Sequence, residues 1–297
     1  MKKTIVIGSR GSALALWQAR HIASRLEALG AETRIEIIRT TGDKIQDVPL
    51  SQAGGKGLFT KELDEALLSG AIDLAVHSMK DVPAQLPPGL VISGIPEREE
   101  PRDAMVGRSL NELAPGSRIG TSSLRRSSQL RALGRGLAVE MLRGNVDTRL
   151  RKLDEGRYDA IVLAAAGLRR LGWAQRIREL IPAEVMCPAV GQGALAIVTR
   201  EGSPLARQLD HAETRAAVEA ERALLATLGG SCQVPVGGHA RIERNEIHLY
   251  AVVASPDGSR LVRGALKGTE PERVGRDLGG QLLGQGAREI LNQVHAA

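Results

Sequence analysis

A hydroxyl, a cation and a carboxylate stand within four positions of one another at Ser78, Lys80 and Asp81, in the stretch Val76-His77-Ser78-Met79-Lys80-Asp81-Val82-Pro83. Such a trio can hold an anionic ligand and move a proton beside it. It can equally be a turn with solvated polar side chains, and from eight residues both readings stand. Position favours the first. Ile72-Asp73-Leu74-Ala75-Val76 reads as a short, mostly buried strand, and Pro83, with a fixed φ and no backbone donor, prevents its regular continuation. Ser78, Lys80 and Asp81 are then expected in the loop at the C-terminal end of a strand, the edge where open α/β sheets bind ligands.

Arginines gather at other strand ends. Thr121-Ser122-Ser123-Leu124-Arg125-Arg126 follows a strand and opens a helix, where hydroxyls and free backbone N–H groups make an anion site. An ordinary serine cap with solvated arginines is the plainer reading. Arg143-Gly144-Asn145-Val146-Asp147-Thr148-Arg149 repeats the design, with a strand end, a glycine turn and a helix start. Arg10 and Ser12 after the first strand make a third such place, and Arg169 and Arg170 a fourth. Between Arg118 and Arg178 thirteen arginines and one lysine face five acids, a balance of +9 in a chain whose total is +6. The rest of the chain is therefore slightly acidic, and the middle third is built for an anionic ligand. Arginine in place of lysine favours planar, bidentate recognition of carboxylate or phosphate.

Cys232 lies in Gly229-Gly230-Ser231-Cys232-Gln233-Val234-Pro235-Val236-Gly237-Gly238. Glycines on both sides describe a tight, exposed loop after a helix, where a thiol can be nucleophilic or carry a covalent group. No histidine adjoins it in sequence, although His239 could approach in space, and free cysteine is also commonly a small buried hydrophobe. Cys187, in Val185-Met186-Cys187-Pro188, has no comparable loop and reads as structural. Two cysteines in a chain of 297 residues make no disulfide scaffold, and no partners at ligand spacing suggest a metal site. Gly54-Gly55-Lys56-Gly57 is not a P-loop, because no Ser or Thr follows Lys56 and the spacing is wrong.

Several classes recede on composition. Aromatics make up 2% of the chain, too few for base stacking, and the arginines sit at strand–helix turns instead of along one helix, so no nucleic-acid partner is expected. No apolar run approaches the roughly 18–20 residues of a membrane span. Met1-Lys2-Lys3-Thr4-Ile5-Val6-Ile7-Gly8 is too short in its apolar part for a signal peptide and reads as a first strand. A cytoplasmic protein without a membrane partner is the expectation.

The elements that must position these residues follow from periodicity. Ser12 can cap a helix reaching about residue 29, with Ala15, Ala19, Ile22, Leu26 and Leu29 at helical spacing and Gly30 ending it. A strand at 34–38, a helix near 61–69 and the strand at Ile72 complete a βαβαβ pattern, which predicts a parallel sheet. Residues 96–102, polar and bracketed by prolines, are a candidate hinge. Alternation restarts with a strand at 118–120, a helix at 124–133, a strand at 137–142, a helix at 146–155 and a strand at 158–164. Residues 188–193 are a second candidate crossing, followed by a strand at 194–199. From Glu213 the pattern becomes a helix to Leu228, strands at 239–244, 247–255 and 260–267 with a hairpin turn at 256–259, and one final helix over 271–294. No internal repeat is evident. The expected domains are an α/β lobe of 1–96 with 194–213, an arginine-rich α/β lobe of 97–193, and a small α+β domain of 214–297.

Gly8-Ser9-Arg10 with Leu14-Ala15-Leu16-Trp17-Gln18, Gly54-Gly55-Lys56-Gly57-Leu58-Phe59, and the segments 76–83, 120–126, 143–149, 188–194 and 230–235 span nearly the whole chain. Together and in this order they closely resemble the porphobilinogen deaminase family, also called hydroxymethylbilane synthases. The resemblance implies two hinged lobes like those of periplasmic binding proteins, plus a small C-terminal domain bearing the cofactor thiol, in a monomer. It implies a dipyrromethane cofactor, made from the substrate itself and held by a thioether to Cys232. Four porphobilinogen molecules are then added head to tail with loss of ammonia, and hydroxymethylbilane is released. Each porphobilinogen carries an acetate and a propionate, so the growing chain accumulates the negative charge that arginines from several loops would meet. On the resemblance, Arg10, Ser12, Ser78, Lys80, Ser123, Arg125, Arg126, Arg143, Arg149 and Arg170 are carboxylate partners. Lys56 and Phe59 belong to a mobile loop, and Thr121, Ser122, Gly144, Asn145 and Gln192 complete the binding set. Asp81 is the catalytic aspartate: loss of ammonia leaves an electron-poor azafulvenium, which a carboxylate stabilises while relaying protons to and from pyrrole nitrogens.

Two positions depart from the family pattern. Gln52 stands where some relatives have a basic residue, and Asp147 where they often have glycine. A two-lobed small-anion binding protein would explain the arginines but not an exposed Cys232.

Overall fold

A computed structural model of the protein describes residues 4–44, 60–229 and 234–296. Gln52, Lys56, Phe59 and Cys232 lie outside the described residues. The chain divides into two compact units, Met1–Glu99 with Ala194–Arg215, and Glu100–Gly193 with Ala216–Ala297.

The N-terminal part supplies β1 (Ile5–Ser9), α1 (Ala13–Ala28), β2 (Thr33–Ile37), α2 (Thr41–Lys44), α3 (Lys61–Leu68), β3 (Leu74–Ser78) and β4 (Leu90–Gly94). The middle supplies β5 (Asp103–Gly107), β6 (Arg118–Gly120), α4 (Leu124–Ala132), β7 (Ala138–Glu140), α5 (Val146–Asp154), β8 (Ala160–Ala164), α6 (Ala165–Arg170) and β9 (Ile177–Leu180). After β10 (Leu195–Arg200) come α7 (Ala212–Thr227), β11 (Val236–Glu243), β12 (Glu246–Ala254), β13 (Leu261–Gly268), α8 (Pro271–Leu282) and α9 (Arg288–Ala296). The result is two α/β lobes and a small α+β part, the fold class expected.

In the first unit the strands are ordered β2-β1-β3-β10-β4. β1 runs parallel to β2 and β3, but β10 is antiparallel to both β3 and β4. The parallel sheet predicted from the βαβαβ pattern is therefore corrected to a mixed one. A strand from more than a hundred residues away is inserted, reversed, between two neighbours. The middle lobe has the order β7-β6-β8-β5-β9, with β5 antiparallel to β8 and β9. Its topology copies that of the first lobe strand for strand. This is an internal repeat that the sequence conceals, because a buried strand position asks only for an apolar side chain.

Alternation along the strands separates the layers. Ile7, Leu74, Val76, Leu195 and Ile197 form one core with Ala19, Ile22, Ala23 and Leu26 of α1. Leu63 and Leu67 of α3 are fully buried, and Gly8 makes room for Leu63 and for Ile72. A Cβ at Gly8 would fall 2.3 Å from Ile72 Cδ1 and 2.9 Å from Leu63 Cδ2. In the middle lobe Met105, Ala160 and Val162 face one core, while Ala104, Val106, Ile161 and Leu163 face another.

The C-terminal helices and the antiparallel sheet β11-β12-β13 enclose a further core that includes Ala220, Leu224, Leu249, Val253 and Leu278. β11 stops at Glu243, not at Arg244 as expected, because Arg244 and Asn245 take φ of 52° and 62° to make a two-residue hairpin turn. The single final helix is also corrected. α8 ends at Leu282, a wide turn follows, and Gly286 at φ 103° breaks the course before α9.

Candidate functional site

In the first unit the sheet delivers three predicted residues to one strand end. Ser78 is the last residue of β3, not a loop residue as expected, and its Oγ accepts from Gln18 Nε2 of α1 at 2.8 Å. Met79, Lys80 and Asp81 then form one tight turn. Met79 is buried and its N donates to Ala194 O at 3.0 Å, while Val82, also buried, closes the turn by donating to Met79 O at 3.1 Å. Two apolar anchors thus leave Lys80 half-buried and Asp81 exposed on a fixed backbone.

Arg10 follows β1 and is half-buried. The parallel register pairs Gly8 with Ala75, and carried on by two residues it sets Arg10 beside His77. His77 is buried, its Nε2 has no hydrogen-bond partner, and burial together with the Arg10 charge pushes its pKa down to about 4. It is a neutral imidazole at physiological pH. The Ser12 hydroxyl is engaged as a helix cap, accepting from Ala15 N at 3.3 Å.

In the second unit the arginines fall into two sorts. Arg125 and Arg126 are buried in the first turn of α4 and share one carboxylate. Asp103, with no exposure, accepts from Arg125 Nη1 at 2.7 Å and from Arg126 Nε at 2.9 Å. Burial alone would raise the Asp103 pKa, but the two guanidiniums and bonds from Arg125 and Gln192 hold it well below the usual carboxylate range. Arg125 also donates to Cys187 O at 2.6 Å and Arg126 to Val162 O at 3.0 Å. Ser123 caps α4 by accepting from Arg126 N at 3.4 Å, Thr121 Oγ1 accepts from Ser123 N at 3.2 Å, and Ser122 is half-buried.

Arg143 and Arg149 are the second sort. Gly144 separates β7 from α5 at φ 113°, where a Cβ would press on Thr148 Cγ2 at 2.7 Å, so only glycine fits. Asn145 sits at the cap of α5 without a side-chain cap bond. Arg149 Nε donates to Gly144 O at 2.8 Å, yet burial and the charges of Arg126 and Arg143 push the Arg149 pKa down to about 10. Arg143 Nη1 is buried with no hydrogen-bond partner. An orphaned buried donor beside a guanidinium that two neighbouring arginines repel is what an anion would satisfy. The residues present therefore fit a group bearing carboxylates. Arg170, buried on α6, donates to Gly193 O at 2.6 Å, and Gln192 Nε2 donates to Asp103 Oδ1 at 3.0 Å. Arg169 is exposed and pairs with Glu100 at 3.8 Å.

Cys187 is buried, and that burial pushes its thiol pKa up, as a structural cysteine requires. Asp103, Gln129 and Glu221 were not singled out in the sequence. Asp103 had a signal, a lone acid opening the apolar run Ala104-Met105-Val106, and so did Glu221, a carboxylate on the helix stripe Ala217, Leu224, Leu228. Among the described residues no cluster is arranged to hold a metal ion, and no helix is long and apolar enough to cross a membrane.

Known proteins resemble the chain over almost its whole length. Residues 5–208 match the profile of the porphobilinogen deaminase dipyrromethane cofactor binding domain, and residues 215–284 that of the porphobilinogen deaminase C-terminal domain. A porphobilinogen deaminase of Syntrophobacter fumaroxidans is 50% identical, with 99% of each chain covered. One from Nitrosomonas europaea is 55% identical, with 97% of each covered. Among solved structures, the methionine binding protein MetQ covers 67% of this chain and 83% of its own at a TM-score of 0.42 and 17% identity, too distant to add to the fold described above.

Proposed function

The chain belongs to the porphobilinogen deaminase family, enzymes that polymerise porphobilinogen into hydroxymethylbilane on a dipyrromethane cofactor, and from that premise we propose which residues do the work. Cys232 carries the cofactor through a thioether. Arg126, Arg143 and Arg149, with Arg125, Arg170 and the helix starts at Thr121, Ser122, Ser123, Gly144 and Asn145, hold its carboxylates and those of the growing chain, and Gln192 completes the set indirectly, by holding Asp103. The observation that carries this reading is the unpartnered, buried Nη1 of Arg143 beside Arg149. Each guanidinium has five donors, so Arg125 and Arg126 keep some for a ligand after binding Asp103. When bound, the dipyrromethane supplies the free pyrrole carbon to which the first incoming ring is joined.

Asp81 is the catalytic group. Its exposed carboxylate, on a turn anchored by Met79 and Val82, stabilises the cation left when porphobilinogen loses ammonia and moves protons to and from pyrrole nitrogen. Arg10, Lys80 and Ser78 orient the acetate and propionate of the incoming ring, with Ser12 supporting them through the α1 cap. Lys56 and Phe59 join this set on the family resemblance alone. The working division is 1–96 with 194–213, 97–193, and 214–297, in a cytoplasmic monomer whose partner is porphobilinogen and neither nucleic acid nor membrane.

Intact mass spectrometry tests the attachment. The purified protein should exceed its sequence mass by two pyrrole units, the excess should vanish in Cys232→Ser and remain in Cys187→Ser. An adduct that survives Cys232→Ser would sink the assignment.

A further inference from the structure

Glu221 occupies a place where helix periodicity calls for an apolar side chain. It lies on the stripe of α7 that includes Ala217, Leu224 and Leu228, all members of the C-terminal core, and it has no exposure. A carboxylate so buried is costly unless both oxygens find donors. They do, on two different segments. Oε2 accepts from Gly191 N at 2.6 Å, and Oε1 accepts from Ala240 N of β11 at 2.7 Å. His239 Nδ1 lies 3.6 Å from Oε1.

Gly191 is held at φ 72° and is followed by Gln192, only 1% exposed. Gln192 Nε2 donates to Pro101 O at 2.7 Å and to Asp103 Oδ1 at 3.0 Å, and Asp103 orients Arg125 and Arg126. The same segment is fixed to β11 a second time, because Gly238 N donates to Pro188 O at 2.9 Å. A Cβ on Gly237 would lie 2.8 Å from Cys187 Cβ, so the strand and the segment are in direct contact. An unbroken buried chain thus runs from α7 through Gly191, Gln192 and Asp103 to the arginine pair.

We propose that Glu221 is a positioning residue for the arginine pair, fixing Gly191 and Gln192 so that Asp103 presents Arg125 and Arg126 to the carboxylates of cofactor and product chain. The inference rests on the proposed role of those two arginines. A carboxylate is needed because two N–H groups from different segments must each meet an acceptor. The isosteric amide offers one oxygen and turns its NH2 against the other donor. By the same link the arginines are coupled to β11, which begins at Val236, four residues after Cys232.

The test is Glu221→Gln prepared as holoenzyme, with cofactor content verified by mass, alongside Gln192→Ala and the double variant. In Glu221→Gln, amide hydrogen exchange at Gly191 and Gln192 should rise at least tenfold. KM for porphobilinogen should rise about tenfold, the scale of a lost charge-assisted hydrogen bond. Gln192→Ala should show a similar rise in KM, and the double variant should be no worse than the poorer single, since both break one chain. Additive effects in the double variant would overturn the relay, and so would unchanged exchange at Gly191 in Glu221→Gln. Raised exchange with an unchanged KM would also overturn it, and would locate the failure in the reading of Arg125 and Arg126. If Glu221→Gln does not fold, Glu221→Asp, which keeps the charge one methylene short, carries the same comparison.

Discussion

The two lobes share a scaffold and put charge in opposite places. In the first, Leu195 opens β10 and pairs with Ser78, the last residue of β3. In the second, Asp103 opens β5 and pairs with Ala164, the last residue of β8. The helix that follows β1 in the first lobe, and the one that follows β6 in the second, begins at a serine cap, Ser12 or Ser123, and has a buried glutamine six positions on, Gln18 or Gln129. Gln18 makes one bond, to Ser78, whereas Gln129 accepts from Cys187 N and donates to the carbonyls of Arg125 and Cys187. Where α1 buries Ala15, α4 buries Arg126. The first lobe has Leu195 where the second has Asp103, and places Lys80 and Asp81 on an outer turn. The second builds its charge into the layer between helix and sheet. Under the roles proposed for them, a catalytic carboxylate has to meet a reacting centre while binding arginines have to be held still, and the same topology would serve both.

The largest effect should come from removing that internal charge. Asp103→Leu gives the second lobe the residue type found at the matching place in the first, and strands two buried guanidiniums. It should cost about 3–5 kcal/mol, the usual penalty for breaking a buried ion pair from one side, read by urea unfolding. A cost below about 1 kcal/mol would mean that the arginines do not depend on it and that the contrast between the lobes is superficial.

Next is Asp81→Asn in the first lobe. An exposed residue on a turn held by its neighbours should leave stability unchanged, yet turnover by holoenzyme of verified cofactor content should fall at least ~100-fold. Asp81→Glu, which keeps the charge, should retain more activity. Near-normal tetrapyrrole formation by Asp81→Asn would place the catalytic group elsewhere.

The smallest effect sharpens the comparison by pH. In the first lobe two buried groups titrate against each other. His77, pushed down to about 4, contributes stability that is present above about pH 6.5, the ordinary imidazole value, and is lost as pH falls through about 4. Asp64, pushed up to about 6 chiefly by burial, contributes stability that is present below its ordinary value near 3.8 and is lost as pH rises through about 6. Between these limits the two slopes oppose. His77→Gln should therefore gain stability on acidification from about pH 6.5 to about 4.5, and Asp64→Asn should lose it, each by about 1–2 kcal/mol. Thermal midpoints across that range check both signs. Asp103 takes no part, because its carboxyl stays ionised well below the window.

Much of this was legible in the sequence because it depends on local chemistry. Helix caps at Ser12 and Ser123, the stop imposed by Pro83 and the glycine turn at Gly144 are decided within a few residues. Pairing direction was not legible. Residues 194–213 were expected in the lobe begun at Ile5, but nothing near Leu195 says that it will run reversed between β3 and β4, so the mixed sheets were missed, and with them the repeat. Partners at long range were hidden for the same reason. Arg125 and Arg126 announced themselves as cations, but that Asp103 would claim part of each depends on a strand that precedes them by about twenty residues. Gly286, one of several glycines in the last helix, gave no sign that it alone would take a left-handed φ.

The insertion of β10 also sets an order of assembly. Synthesis runs from the N-terminus, and β1 to β4 emerge before any of the middle lobe. They cannot close their sheet, because β4 pairs with β10 and not with β3. The whole middle lobe, β5 to β9, must be made before β10 appears, and its own sheet needs nothing from outside Asp103–Leu180. The second lobe to leave the ribosome is thus the first whose sheet can be completed. Until Leu195–Arg200 arrives, β3 and β4 present open edges, the state in which a nascent sheet is most exposed to wrong partners.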